Sequence, residues 1–404
     1  MRALVLTHRL PYAPNRGDRV RAHHIVRLLA ARADVHVVSL VHDKDEERQA
    51  DTLRQLGVGV STALVPRARN LVSAALALPT AVPLTHALLN APGIAAAVEQ
   101  VTERLRPDVV LAYCTGVAPL ALAPPLDRVP LVLDVVDVDS AKWAAFAETS
   151  RFPRAWIYRR EAKWLGAFER RAVRAAVATT VVNERERDTL LRTCRGADVH
   201  VVPNGVDVSA LTPHEPPAHE DRVIFTAVFD YAPNGDGAIW FARRVWPLVR
   251  AACPNSLLTL AGASPTRAIR QLASVDPSIE VTGAVADMRP YLWRSAIAVA
   301  PIHQARGVQN KVLEAAAAGL PSVVTSAVWK GLPKEVLAAC RCADAPEQFA
   351  AEVIELLQLR PNARRRYAEQ ARLADLAWSK RLAPLVDLVE SAAHADGGAR
   401  AAAG

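Results

Sequence analysis

Short β-branched runs alternate with longer helix-patterned stretches along most of the chain, and the alternation is interrupted once. Ala3 to His8 (ALVLTH) reads as a buried strand. Val20 to Ala33 carries Val20, Ile25, Leu28 and Leu29 where one helix face would, and Asp34 to Val41 (DVHVVSLV) reads as the next strand. That order is a βαβ unit. Further strands are expected from Asp108 (DVVLAYC), Val129 (VPLVLDVVDV), Val177 (VATTVVN) and Asp198 (DVHVVPN). Pro213 to Glu220 (PHEPPAHE) has three prolines and no periodicity, and reads as a linker. Alternation then resumes with DRVIFTAVFD from Asp221, a helix over Gly237 to Cys253, SLLTLAGA from Ser256 and a short helix from Thr266. IEVTGAV from Ile279, a helix near Asp287 to Ser295, AIAVAPI from Ala296, an alanine-rich helix and SVVTS from Ser322 follow. The remainder is helical, over Pro346 to Gln358 and over Asn362 to Val389 with a break near Trp378.

With 404 residues, the chain is longer than one compact core usually supports, so two domains are expected. The boundaries predicted are 1–212, a linker at 213–220, 221–377, and a C-terminal helix at 378–404 that crosses back and frays from Ala393. The fold class expected is α/β, with two doubly wound parallel sheets facing across a cleft and ligands outside the carboxyl ends of the strands.

Several function classes fall away on composition. The most apolar stretch, Leu71 to Leu84, holds two prolines and is too short to cross a bilayer. MRALVLTHRL has four apolar residues before His8, short of a signal-peptide core, so a cytoplasmic location is expected. Five cysteines without a C-x-x-C pair argue against a disulfide framework or a zinc site. The formal charge of +8 is concentrated in Arg151 to Arg174, which has eight basic and two acidic residues interleaved with Phe152, Trp156, Tyr158, Trp164 and Phe168. That mixture suits a peripheral position on a membrane surface, and equally a helix whose aromatic residues face its own core. No nucleic-acid motif accompanies it, and nucleic acid is not expected as a partner.

No G-x-G-x-x-G, P-loop or G-x-S-x-G elbow occurs, which weakens the case for a dinucleotide enzyme, an NTPase or an α/β hydrolase. No metal ligand set is evident, since adjacent His23 and His24 point to different helix faces. The loop Arg9 to Arg19 brings Asn15, Arg16 and Gly17 to the start of a helix, whose free N–H groups would suit an anion, although Asp18 as a plain N-cap explains it as well. In LDVVDVDS, strand alternation puts Asp137 and Asp139 on one side, where they could take hydrogen bonds from sugar hydroxyls; Asp139 could instead cap a helix from Ala141.

The segment ARGVQNKVLEAAAAGLPSVVT, from Ala305, is the most informative. Lys311 stands in a first turn that disfavours cations and precedes Glu314, the reverse of the order that suits the helix dipole. A phosphate bound to the N–H groups of Gly307, Val308, Gln309 and Asn310 would remove the objection to Lys311, and Glu314 one turn on could then hold a ribose. A surface salt bridge is the plain alternative.

Glu314-Ala-Ala-Ala-Ala-Gly-Leu-Pro resembles the E-A-M-A-x-G-x-P segment of family 4 glycosyltransferases of the GT-B fold. Val202-Pro-Asn-Gly-Val-Asp207 resembles their P-N-G-V-D segment, and Val281 to Pro301 is similar to their tG-v-d-l stretch. Leu10-Pro-Tyr-Ala-Pro, Trp156-Ile-Tyr-Arg-Arg-Glu, Asp230-Tyr-Ala-Pro-Asn and Arg306 to Glu314 resemble the sugar transferases of exosortase-associated exopolysaccharide systems. The resemblance implies retaining transfer from a nucleotide diphosphate sugar, with no cofactor and no metal, to a glycan or lipid-linked acceptor. It implies Glu314 on the donor ribose, with Asn310, Gly307, Val308, Gln309, Asn234 and Gly17 around the donor. The family's first Glu falls on Arg306, and its His-Asp pair on Val136-Asp137. Lys311 and Arg306 are therefore assigned to the diphosphate, Asp137 to catalysis, and Arg16 and Asp139 to the acceptor side. A nucleotide-sugar 2-epimerase and a non-catalytic nucleotide-sugar binder are the alternatives.

Overall fold

The computed structural model describes residues 1–12, 17–213, 221–305 and 308–401. The chain divides into two compact units, Met1–Pro203 with Leu382–Gly404, and Asn204–Arg381. The second unit thus begins ahead of the proline-rich stretch, and Val206 N–H donates to Leu376 O at 2.8 Å within it.

The first unit is built on strands β1 (Arg2–Thr7), β2 (Asp34–Val41), β3 (Gly59–Leu64), β4 (Val109–Tyr113), β5 (Leu131–Val136), β6 (Ala178–Val181) and β7 (Val199–Val201). They form one sheet in the order β3-β2-β1-β4-β5-β6-β7, every pair parallel. β4 is buried at every residue and β1 and β2 at all but the first, which explains why they are apolar without alternation, β2 admitting only His36 and Ser39: helices cover both faces. β3, GVSTAL, is the strand of this unit that the sequence pattern does not reveal, because its edge position leaves it half-exposed and diluted with Ser and Thr; the edge strand Cys340–Cys342 of the second unit is missed likewise. The helix Gly17–Ala30 begins three residues before the predicted Val20 and also ends three before the predicted Ala33.

The second unit contains β8 (Arg222–Thr226), β9 (Leu257–Ala261), β10 (Ile279–Gly283), β11 (Ile297–Ala300), β12 (Ser322–Val324) and β13 (Cys340–Cys342), ordered β10-β9-β8-β11-β12-β13 and again all parallel. The helix expected over Gly237 to Cys253 starts earlier, as Ala232–Trp240 with Pro233 in its first turn, and continues through a π-helical stretch, Phe241–Val245, into Trp246–Ala252. The alanine-rich helix is Asn310–Ala317. It ends in a Schellman arrangement: Leu320 N–H donates to Ala315 O and Gly319 N–H to Ala316 O, both within 3.0 Å, with Gly319 at φ +78° and Pro321 next. The C-terminal helix Trp378–Ala401 begins in the second unit and continues in the first.

Each sheet reverses its strand order once, between β1 and β4 in the first unit and between β8 and β11 in the second. Loops leaving the carboxyl ends of neighbouring strands on either side of such a reversal diverge and leave a crevice. Among the described residues no helix is long and apolar enough to cross a membrane.

Candidate active site

At the reversal of the second sheet, the helix after β8 supplies Asn234 and the helix after β11 supplies Lys311. Two glycines allow close approach here: a Cβ on Gly237 would sit 2.5 Å from Pro301 O, after β11, and one on Gly262 (φ +141°), after β9, 1.9 Å from Ala227 O, after β8. Lys311 Nζ donates to Asn234 Oδ1 at 2.9 Å and stands 5.0 Å from the ring centre of Phe225. Asn234 is itself oriented by its Nδ2, which donates to Val228 O at 2.9 Å. Asn310, the first helical residue, accepts from Asn204 Nδ2 at 2.9 Å, so the P-N-G-V-D segment touches the start of this helix.

The electrostatics of this group are unusual. Lys311 is half-buried, and among the described residues its only hydrogen-bond partner is the neutral Asn234; burial pushes its pKa down to about 7 although Glu314 acts to raise it. Burial likewise raises Glu314, against the pull of Lys311. No described residue donates a hydrogen bond to the Glu314 carboxylate, and the two groups form no ion pair within 4.0 Å among the described residues. A cation and an anion one helical turn apart, each short of partners, can together receive a ligand that carries both phosphate oxygens and hydroxyls.

The structure brings Lys311 against Asn234, with Asn310 beside it and Glu314 one turn on in the same helix. The helix starts at Asn310 with Gln309 as its N-cap, and Val312 N–H donates to Gln309 O, so among the described residues the first-turn N–H groups without a helical partner are those of Asn310 and Lys311. The three residues Val308, Gln309 and Asn310 are half-buried. Arg306 and Gly307 lie outside the described residues, as does Arg16, and Gly17 is the first residue of its helix.

In the first unit the polar residues gather at the carboxyl ends of β1, β4 and β5. Thr7 Oγ1, Thr115 Oγ1, Asp137 Oδ1 and Glu186 Oε1 are buried there without a hydrogen-bond partner among the described residues. Burial first, and Glu186 second, raise Asp137 to about 7. The chain is bent at this place: Cys114 (φ +70°) and Val136 (φ +65°) both adopt left-handed backbone, costly for residues with a Cβ and most of all for a β-branched one. Val136 corrects the expected alternation. β5 ends there, Asp139 opens the helix Asp139–Thr149 and pairs with Lys142, and Asp137 and Asp139 are therefore not neighbours on a strand face. Nor does Asp139 cap a helix from Ala141, since the N-cap is Val138.

Behind this cluster lies a charge that the sequence pattern did not single out. Arg21 Nε donates to Asp134 Oδ2 at 2.7 Å, and Thr180 Oγ1 to Asp134 Oδ1 at 2.8 Å, all three residues buried. A lone Asp within the apolar run LVLDVV was the available signal, because a carboxylate inside a sheet requires a partner. Glu186, also missed, is buried and accepts Val138 N–H at 2.8 Å.

The basic aromatic segment proves divided in role. Arg160 is buried, and its guanidinium donates to the carbonyls of Ala77, Leu78, Thr80 and Val82 at 2.6–2.8 Å, so this one arginine is architectural. Arg151, Arg154, Arg159, Phe152 and Trp156 are exposed.

With this geometry in place, comparison with known proteins separates the possibilities. The family model described as "Glycosyl transferase 4-like domain" matches residues 16–205, and that described as "Glycosyl transferases group 1" matches residues 220–359. The chain is a glycosyltransferase of the GT-B fold. Among solved structures, it is similar to sucrose-phosphate synthase from Thermosynechococcus elongatus, with 14% identity over 97% of this chain and 99% of that one, TM-score 0.70. It is also similar to HepE of Anabaena in complex with UDP-glucose, with 13% identity over 96% and 99% and a TM-score of 0.65. A third is WaaG, a glycosyltransferase involved in lipopolysaccharide biosynthesis, with 15% identity over 96% and 99% and a TM-score of 0.64. Among curated protein sequences, none matches this glycosyltransferase significantly.

Proposed function

We propose that this glycosyltransferase moves a sugar from a nucleotide diphosphate donor to a glycan or lipid-linked acceptor in exopolysaccharide or cell-surface glycan synthesis, with retention at the anomeric carbon. The exosortase-associated systems are the setting its motifs resemble. The observation that carries the reading is the half-buried, incompletely partnered Lys311 and Glu314 at the sheet reversal of the second unit. The UDP-glucose bound to the Anabaena protein supports the donor class.

In this reading, Glu314 accepts hydrogen bonds from the donor ribose, while Lys311 takes up a proton and faces the diphosphate together with Arg306 and the helix N–H groups of Asn310 and Lys311. Gly307, Val308, Gln309 and Asn234 line the donor, and Gly17 adds a second helix N-terminus. The bond from the anomeric carbon to the diphosphate oxygen breaks with its electron pair passing to the diphosphate. The acceptor oxygen bonds to the same face of that carbon, and its proton passes to the departing phosphate oxygen. Asp137 orients the acceptor hydroxyl; Arg16 stands on the acceptor side, and Asp139, occupied by Lys142, acts there through that lysine. Charge on the departing diphosphate is neutralised by side chains, so activity is expected to survive EDTA.

Donor fixed in place and leaving charge stabilised are separable contributions. Lys311→Met is expected to cut turnover roughly 100- to 1,000-fold, more than it weakens donor binding, as for loss of one fixed donor to a developing anion. A panel of UDP-, GDP- and ADP-sugars, followed by proton NMR of the product anomer, tests the reading. Inverted product, or no binding of any of them, overturns it.

A further inference from the structure

One helix of the first unit is turned inside out. Arg67–Ala77 (RARNLVSAALA) buries its asparagine and exposes its largest apolar residues: Asn70 is 1% exposed and donates to Leu88 O and Asn90 O at 2.8 and 2.7 Å, whereas Leu71, Val72 and Leu76 are 65%, 61% and 72% exposed. A helix docked on its own core does the opposite.

The same region is fastened to a second exposed apolar group. Arg160 binds four carbonyls between Ala77 and Val82, and the next residue, Glu161, accepts Leu84 N–H, Thr85 N–H and Thr85 Oγ1 at 2.7–2.9 Å. These two buried residues clamp the connection between the helices Arg67–Ala77 and Leu84–Leu88 to the helix Arg154–Ala175. At the start of that long helix stand Phe152, 84% exposed, and Trp156, 50% exposed and one turn before Arg160. Within the two segments the exposed charge is basic, and Glu148 is the exposed acid next to them in sequence. No acidic residue occurs between Asp51 and Glu99, and both acids of the Arg151 to Arg174 segment, Glu161 and Glu169, are buried. Arg67, Arg69, Arg151, Arg154 and Arg159 are all exposed.

We infer that Leu71, Val72, Leu76 and Val82, with Phe152 and Trp156, form a docking face that enters the headgroup region of an anionic lipid bilayer. Apolar side chains rimmed by arginine suit that interface, where rings sit at headgroup depth and guanidinium groups meet lipid phosphates. A second copy of the chain fits less well, because a two-fold interface would set like-charged rims against each other. The inference deepens the lipid-linked acceptor proposed above and rests on it for its purpose. Its test does not depend on catalysis.

The full chain is sedimented with vesicles of phosphatidylcholine alone and of phosphatidylcholine mixed with phosphatidylglycerol, without donor or acceptor. Binding to the mixed vesicles is expected, weakened roughly fivefold for each of Arg151, Arg154 and Arg159 replaced by alanine. The Leu71→Glu, Val72→Glu, Leu76→Glu triple variant is expected to abolish it; these side chains are exposed, so an unchanged far-UV spectrum and melting point confirm folding. Undiminished binding of the triple variant overturns the role of the 67–88 region and leaves only an electrostatic patch. No binding of the wild type, or a dimer that the triple variant dissolves in sedimentation equilibrium, overturns the membrane face altogether. Transfer to a soluble acceptor is expected to be unchanged in the triple variant, so failure here is distinguishable from failure of the proposed activity.

Discussion

Two buried carboxylates of the first unit are answered by arginines, whereas the cation and anion at the sheet reversal of the second unit do not answer each other. Arg21 and Asp134 meet at 2.7 Å, and Glu46 accepts from Leu10 N–H, His42 N–H and Arg19 at 2.9–3.1 Å. Lys311 and Glu314, by contrast, have between them one hydrogen bond, to a neutral amide, among the described residues. A completed pair holds the fold; an incomplete one has capacity left for a ligand. Asp137 and Glu186 depart from this in the first unit, each with a buried oxygen that no described residue satisfies, and Asp137 stands next to the strained Val136.

The comparison breaks most visibly at Arg21. Arg21→Met leaves buried Asp134 with Thr180 as its one side-chain hydrogen-bond partner among the described residues, and is expected to destabilise the protein by about 3 to 5 kcal/mol in urea unfolding while nucleotide affinity per folded molecule stays the same. A loss under about 1 kcal/mol would mean that the pair is not structural.

Glu314→Ala should behave in the opposite way. It removes charge-assisted bonds to the donor worth about 1.5 to 3 kcal/mol, so affinity is expected to fall roughly 10- to 100-fold in calorimetry while unfolding stability is retained.

Lys311 sharpens the contrast through pH. Its folded pKa of about 7 lies below the ordinary 10.5, so the unfolded chain holds more protons in that window. Stability is therefore expected to rise with pH between about 7 and 10.5. Lys311→Met removes the rise and is expected to stabilise the ligand-free protein most below pH 7. A flat profile in the wild type would contradict the burial argument.

The smallest effect belongs to Asp137. Its folded pKa of about 7 lies above the ordinary 3.8, so its contribution reduces stability as pH rises from 3.8 to 7. Asp137→Asn is expected to flatten only part of that decline, since Glu169, also raised to about 7 by burial, contributes in the same window. Urea unfolding at about pH 5 and about pH 8 measures the difference.

Sequence made visible what periodicity and local chemistry encode. The buried strands β1 and β4 read as apolar runs and β2 as a β-branched one, and the stop of the alanine helix at Gly319 was legible because only a residue free of a Cβ takes φ +78° there at no cost. Lys311 and Glu314 were legible for a different reason: their order is wrong for an isolated helix. What escaped was tertiary. Arg21 and Asp134 lie 113 positions apart, Arg160 looks like its surface neighbours until its four carbonyl partners are known, and the polarity of Arg67–Ala77 is inverted by where Asn70 is anchored. The turn at Val136 could not be anticipated either, since a β-branched residue is among the least expected at positive φ.

The central claim is that Lys311 and Glu314 hold a nucleotide diphosphate. Titration calorimetry of the wild type with UDP, GDP and ADP, near pH 8 in two buffers of different ionisation enthalpy, tests it most directly. Binding of one nucleotide is predicted with uptake of close to one proton, as Lys311 becomes charged against the diphosphate, and that uptake is predicted to disappear in Lys311→Met. Binding without proton uptake, or an affinity indifferent to Glu314→Ala, would contradict it.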